Sequence, residues 1–176
     1  MVCYNRRVTV AVCPGSYDPV TLGHLDIIVQ ASKLFDVVHV AVSKNVLKLP
    51  MFDLHTRKKL LEEAVKSSKL KNVQVDLLVG KNSLLADFCK LVKADAIVKG
   101  VRDARDFENE FAMSLLNYNL AQVETILLPA KSQNLHISSS YLKNVGINGG
   151  SVASMLPEAV CAQVTKEIEK RNFEEL

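Results

Sequence analysis

The sequence predicts an α/β fold: a single doubly wound, Rossmann-like domain in which helices cover both faces of a five-stranded parallel sheet. Three observations carry that expectation. Short β-branched, apolar runs alternate with segments of helical period along the chain. The runs are apolar on both faces and single helices separate them, as in a parallel sheet buried on both sides. Finally, 176 residues are enough for one sizeable core, and no repeat, low-complexity stretch or linker divides them.

Taken in order, VTVAVC (8–13) is a first strand and 22–35 a helix with Leu22, Leu25, Ile28 and Val29 on one face. VVHVAVS (37–43) is a second strand, followed by a helix over 54–68 that Asp53 can cap. VQVDLLV (73–79) is the third strand, and Ser83 is placed to cap a helix over 83–93. AIVKGV (96–101) is the fourth strand. A helix then runs from about Asp106 to Ala121, where Phe107, Phe111, Leu115 and Tyr118 recur at helical spacing. ETILLPA (124–130) is the fifth strand. Beyond it the pattern is helical, broken at Gly149-Gly150, and an amphipathic helix from about 157 packs on the sheet or against a neighbouring subunit. The whole of 1–176 reads as one domain.

Composition excludes several classes. The chain is 48% hydrophobic, and its mean hydropathy of +0.12 describes an ordinary globular interior. A net charge of +3, without a basic stripe interleaved with aromatics, argues against nucleic acid as a partner. No run approaches the length of a membrane span, and the start MVCYNRR lacks the apolar core of a signal peptide. Cys3, Cys13, Cys89 and Cys161 form no CxxC pair and no ligand spacing with the histidines, so no protein metal cage is expected. Reduced thiols in apolar surroundings suit the cytoplasm.

Ligands of open α/β sheets gather at the carboxyl ends of the strands, near the point where strand order reverses. The residues that look wasteful as structure all fall on that edge. GSYDPVTLGH (15–24) follows the first strand, Lys48 the second, KGVR (99–102) ends the fourth, and ISSS (137–140) lies beyond the fifth at a helix start. Gly15 can let backbone N–H groups approach an anion, Ser16 adds a hydroxyl, and Gly23 opens a helix whose amino end attracts the same charge. His24 stands in that helix's first turn, where its basicity is depressed and a neutral N–H donor is reasonable. Lys99 interrupts a buried strand, a costly place for a charge without an anionic partner. Arg102 offers a fork suited to phosphate oxygens. A cap needs one of Ser138, Ser139 and Ser140, not three. Asp106 and Glu110 can be helix-start carboxylates serving the dipole alone. Neither a Walker A loop nor GxGxxG is present.

Gly15-Ser16-Tyr17-Asp18-Pro19, Thr21-x-Gly23-His24 and Ile137-Ser138-Ser139-Ser140 resemble the nucleotidyltransferase superfamily of the HxGH and ISSxx type. Thr21 in place of the first histidine is similar to the bacterial phosphopantetheine adenylyltransferases, as are Lys48-x-Pro-Met-Phe and Gly100-x-Arg102 with Asp106, Phe107, Glu108 and Glu110. A nicotinamide mononucleotide adenylyltransferase or a cytidylyltransferase should carry His at position 21. The resemblance implies transfer of adenylyl from ATP to 4′-phosphopantetheine, with Mg²⁺ as cofactor and a homo-hexamer as the assembly. It implies that His24, Lys48 and Arg102 are catalytic, with His24 stabilising the transition state. Ser16, Lys48, Leu85 and Lys99 would line the phosphopantetheine site. Ser16, Tyr17, His24, Gly100, Val101, Arg102, Glu110, Asn134, Leu135, His136, Ile137, Ser138, Ser139 and Ser140 would hold ATP. Lys99 stands where the family has arginine, keeping the charge and losing the fork. Asn134 stands where an aromatic residue often flanks the adenine. A non-catalytic nucleotide sensor is the rival of a different class, and the presence of His24, Lys48 and Arg102 together argues against it.

Overall fold

The computed structural model describes residues 7–45, 49–80 and 84–174. Lys48, Ser83 and Cys3 lie outside the described residues. Five strands, β1 (Val10–Gly15), β2 (Val37–Val42), β3 (Val73–Leu77), β4 (Ala96–Val101) and β5 (Glu124–Pro129), pair in the order β3-β2-β1-β4-β5, every neighbour parallel. The helices are α1 (Leu22–Leu34), α2 (Leu54–Ser67), α3 (Leu85–Val92), α4 (Ala104–Ala121), α5 (Ser139–Ile147) and α6 (Glu158–Glu174). The α/β fold and the parallel sheet are those expected from the alternating pattern.

Alternation along the strands sends side chains to two cores. On one face Ala11, Cys13, Val38, Val40, Val42 and Val98 pack with α1 and α2, and α5 and α6 complete that core. On the other, Val12, Ala41 and Ile97 meet α3 and the end of α4. The central strands are thus largely apolar on both sides because each side meets a helix, whereas the edge strand β3 carries Gln74 and Asp76 on one face. The last helix, left open between sheet and neighbouring subunit, packs within its own chain. Val160, Val164 and Ile168 are buried, and Arg171 donates to the Met51 carbonyl at 2.6 Å.

Helix starts follow their caps. Asp53 accepts the His55 and Thr56 amides at 2.9 and 3.0 Å, as expected for α2. Asp103 accepts the Asp106 amide at 2.8 Å, which starts α4 two residues before the expected Asp106. At the amino edge of the sheet, Asp36 and Asp95 accept the Thr9 and Val10 amides at 2.9 and 2.8 Å, so carboxylates there serve strand starts. Chain order reverses between β1 and β4, whose carboxyl ends therefore open onto a crevice.

Candidate active site

A cleft of about 230 Å³ occupies that crevice. Its wall includes Tyr17, Thr21, Gly23 and His24 after β1, Lys99, Gly100 and Arg102 at the end of β4, Asp106 and Glu110 from α4, and Ile137 and Ser138 before α5. Several of the expected residues therefore meet at the switch point. A second, smaller cleft is lined by Ser16, Asp18, Asn45, Pro50, Arg57, Ser139, Ser140 and Lys143.

His24 is held by its own helix. The Thr21 side chain accepts the His24 amide at 3.3 Å, and the Thr21 amide donates to His24 Nδ1 at 3.1 Å, closing a reciprocal capping box. An Nδ1 that accepts a backbone N–H carries no proton, so the neutral ring carries its proton on Nε2. Burial pushes the imidazole from its ordinary 6.5 down to about 4, and the nearby charges of Arg102 and Lys99 push the same way. The expected neutral donor follows, but burial and two cations lower the basicity where the helix end was the expected cause.

The glycine of the first turn also acts otherwise than expected. A Cβ on Gly15 would stand 3.0 Å from the Tyr17 ring, so the space its missing side chain leaves holds an aromatic ring. Tyr17 is buried with φ of +46°, donates its hydroxyl to the Cys13 carbonyl at 2.9 Å, and meets the His24 ring edge-on with centroids 5.0 Å apart. Gly23 lets the start of α1 approach the Ile137 carbonyl, which a Cβ would meet at 3.1 Å.

Lys99 has its anion: its Nζ lies 3.1 Å from Glu110 Oε1, both side chains being about a quarter exposed. Arg102 makes a two-pronged contact with Asp106, Nε to Oδ2 at 2.7 Å and Nη2 to Oδ1 at 3.1 Å. The two carboxylates of α4 thus serve the cleft's cations, beyond any effect on the helix dipole. Guanidinium has five N–H donors, so Arg102 retains others for a ligand.

Of the three serines, Ser138 caps α5 by accepting the Tyr141 amide at 3.1 Å, Ser139 donates to the Pro19 carbonyl at 2.9 Å, and Ser140 is exposed beside the smaller cleft. The other expected positions among the described residues stand apart from both clefts. Val101 lies in β4 and receives the Ala130 amide at 2.9 Å. Leu85 opens α3 and packs beside the core around Phe88. Leu135 and His136 are exposed. Asn134 is buried, with its side chain on Asp26. Burial raises the Asp26 carboxyl, but hydrogen bonds from Lys131 and Asn134 outweigh it and hold the carboxyl below its usual range.

Sequence reasoning passed over Asp18, Arg57 and Lys143. Asp18 stood in the quoted motif without a role, and Arg57 and Lys143 were given no role at all. Among the described residues no group of three His, Cys, Asp or Glu side chains is arranged to hold a metal. The carboxylates in the main cleft are Asp106 and Glu110, each engaged by a cation. A divalent ion arriving with a nucleotide would be held there largely by phosphate oxygens and water, and Asp106 and Glu110 are the carboxylates that could complete its shell.

The family model described as cytidylyltransferase-like matches residues 12–145. The chain is 47% identical over 153 residues to a phosphopantetheine adenylyltransferase of Bifidobacterium longum, covering 87% of this chain and 90% of that one. With the phosphopantetheine adenylyltransferase of Bifidobacterium animalis subsp. lactis it shares 42% over 161 residues, 92% and 99% of the two chains. Among solved structures, a bifunctional NMN adenylyltransferase/ADP ribose pyrophosphatase from Francisella tularensis superposes with a TM-score of 0.73 at 14% identity. That superposition covers 97% of this chain and 52% of that one, a likeness of fold alone.

Proposed function

The chain belongs to the phosphopantetheine adenylyltransferases of the cytidylyltransferase-like family, and from that premise we infer that it transfers the adenylyl group of ATP to 4′-phosphopantetheine. The products are dephospho-coenzyme A and pyrophosphate. A phosphate oxygen of the acceptor attacks the α-phosphorus, and the bond from that phosphorus to the bridging oxygen of pyrophosphate breaks. The attacking oxygen is already anionic at neutral pH, so the reaction needs no general base. It needs alignment of the two phosphates and neutralisation of the charge that develops on them.

The observation that carries this reading is the Thr21 amide on His24 Nδ1, which leaves a neutral Nε2–H donor in the main cleft. A donor fixed before the substrate arrives stabilises a developing oxyanion without reorganising. Lys99 exchanges Glu110 for the acceptor's phosphate, and Arg102 brings its spare N–H groups to the nucleotide. Ser16, Ser139 and Ser140 flank the same phosphates from the smaller cleft, with Tyr17, Gly100, Ile137 and Ser138 lining the nucleotide side. Lys48, Leu85, Val101, Leu135 and His136 belong to this proposal by resemblance alone; Asn134 supports the nucleotide side from behind, through Asp26. Magnesium, when bound, would screen the charge of the triphosphate, with Asp106 and Glu110 as the carboxylates placed to help hold it.

Assembly is part of the same reading. Phe107, Phe111, Leu115 and Tyr118 recur as the sequence suggested, yet they stand between 42 and 56% exposed, and Phe107 stacks on Phe111 with centroids 6.0 Å apart. An apolar stripe of that extent supports an interface between copies, and we take the hexamer of the resemblance as the assembly. The whole chain acts as one catalytic domain. No helix among the described residues is long and apolar enough to cross a membrane. Burial raises the Cys13 thiol to about 12 and the Cys89 thiol to about 11. Thiols held protonated in this way suit the cytoplasm we assign.

The test is pyrophosphate release from ATP and Mg²⁺ with 4′-phosphopantetheine, nicotinamide mononucleotide or glycerol 3-phosphate, in wild type and His24→Ala. Turnover is expected with 4′-phosphopantetheine alone, and a loss of at least about a hundredfold in the variant. Turnover with another acceptor, or with none, refutes the assignment.

A further inference from the structure

Asp18 is only 5% exposed and gathers groups from three segments that are distant in sequence. The Met51 amide donates to Oδ2 at 2.9 Å and to Oδ1 at 3.1 Å, and the Phe52 amide donates to Oδ1 at 2.9 Å. Lys143 of α5 places its Nζ 2.8 Å from Oδ2. Arg57 of α2 approaches Oδ1 at 3.5 Å and works in the opposite sense, collecting carbonyls. Its Nε donates to Phe52 O at 2.7 Å, and its Nη1 donates to Ser16 O at 3.2 Å and Ser43 O at 3.3 Å. The carboxylate therefore holds N–H groups and the guanidinium holds C=O groups of the same loops.

We propose that Asp18 is a positioning residue which, with Arg57 and Lys143, clamps the turn after β1 between the segment 49–52 and the first turns of α5, setting the separation of the acceptor and nucleotide sides of the site. This rests on the functional reading above. The acceptor side is the turn at Ser16 with the segment 49–52. The nucleotide side is His24 with Ser138 and Ser139. In-line transfer tolerates little error in the distance between them. A buried carboxylate with two cationic neighbours and three amide contacts is stiff, because loss of any partner leaves a buried charge short of hydrogen bonds. Ser139 adds to the clamp by donating to Pro19 O.

Asp18→Asn keeps the shape of the side chain but replaces one accepting oxygen with an NH2 group, turning a donor toward the buried donors of Met51, Phe52 and Lys143. Lys143→Met removes the contact between Asp18 and α5 and leaves the Ser139 contact to Pro19 in place. Pyrophosphate release at saturating ATP and 4′-phosphopantetheine is expected to fall at least about tenfold in kcat for Asp18→Asn and severalfold for Lys143→Met. Each KM is expected to change by less than about threefold, since the individual binding groups are left in place. Lys143→Arg, which keeps the charge, is expected to restore most of the rate. Amide hydrogen exchange is read on the same proteins, and both 49–52 and 138–143 are expected to exchange faster in Asp18→Asn, whereas Lys143→Met speeds only 138–143. A wild-type kcat in Asp18→Asn overturns the proposal. So does a loss of rate that merely follows the folded fraction by circular dichroism, or exchange that changes at 49–52 alone. Failure of the wild type to release pyrophosphate would refute the functional reading and leave the clamp to be decided by exchange.

Discussion

A histidine that donates a hydrogen bond at neutral pH has to be kept from protonating, and His24 is kept so by burial, Arg102 and Lys99. With a folded value of about 4 against 6.5 in the unfolded chain, only the unfolded state binds the proton between those limits. Stability from this group is therefore complete above about pH 6.5 and is lost as pH falls toward 4, on the order of 3 kcal/mol in all. Two outcomes follow at this scale. The imidazole resonances of His24 should titrate near 4 by NMR, and kcat should show no inflection from this ring between about pH 5.5 and 8. A kinetic inflection near 6.5 that disappears in His24→Ala would refute the neutral donor. The motif told of the ring's position, whereas its tautomer depends on a backbone amide three residues back, which only the capping box reveals.

Elements place these residues through close approaches that single glycines permit. Gly100 in β4 lies under Ile27 of α1, where a Cβ would meet Cγ1 at 2.6 Å and Cδ1 at 2.9 Å. Gly100→Ala must push α1 off the sheet or force Ile27 from its rotamer, and should lower stability by about 1–3 kcal/mol in urea denaturation. Ile27→Ala opens a cavity of its own, yet the double variant should be more stable than the sum of the two losses predicts. Strict additivity would show that the two residues do not press on one another. Helices and strands were legible because period and caps are local: Asp53 and Ser138 cap as expected. The start of α4 was misplaced because Asp103 and Asp106 both suit a first turn, and the choice is settled by which carboxylate receives the amide.

For the whole molecule the informative feature is an apolar face left uncovered. The stripe on α4 has the spacing of a core-facing helix, yet among its described residues only Ala121 is buried. If that face joins copies, Phe111→Glu should lower the molar mass seen by light scattering toward that of one chain, with the circular dichroism spectrum retained. An unchanged mass would place the contact elsewhere. The substitution lies on the outside of the helix, one residue from Glu110, so its effect on turnover would report whether assembly supports the site.

The alternation of strands and helices, and the motifs around His24 and Ser138 that follow the strand ends, were legible in the sequence because they depend on neighbours in the chain. Tertiary structure alone decided who meets whom. Asp18 finds Met51 and Lys143 at separations of 33 and 125 residues, and the charges of Lys99 and Arg102 are met by carboxylates on the following helix. It also sent Asn134 inward to Asp26 and left the α4 stripe outward. The reason is physical: periodicity states which side chains share a face, while the partner of that face is set by how the layers pack.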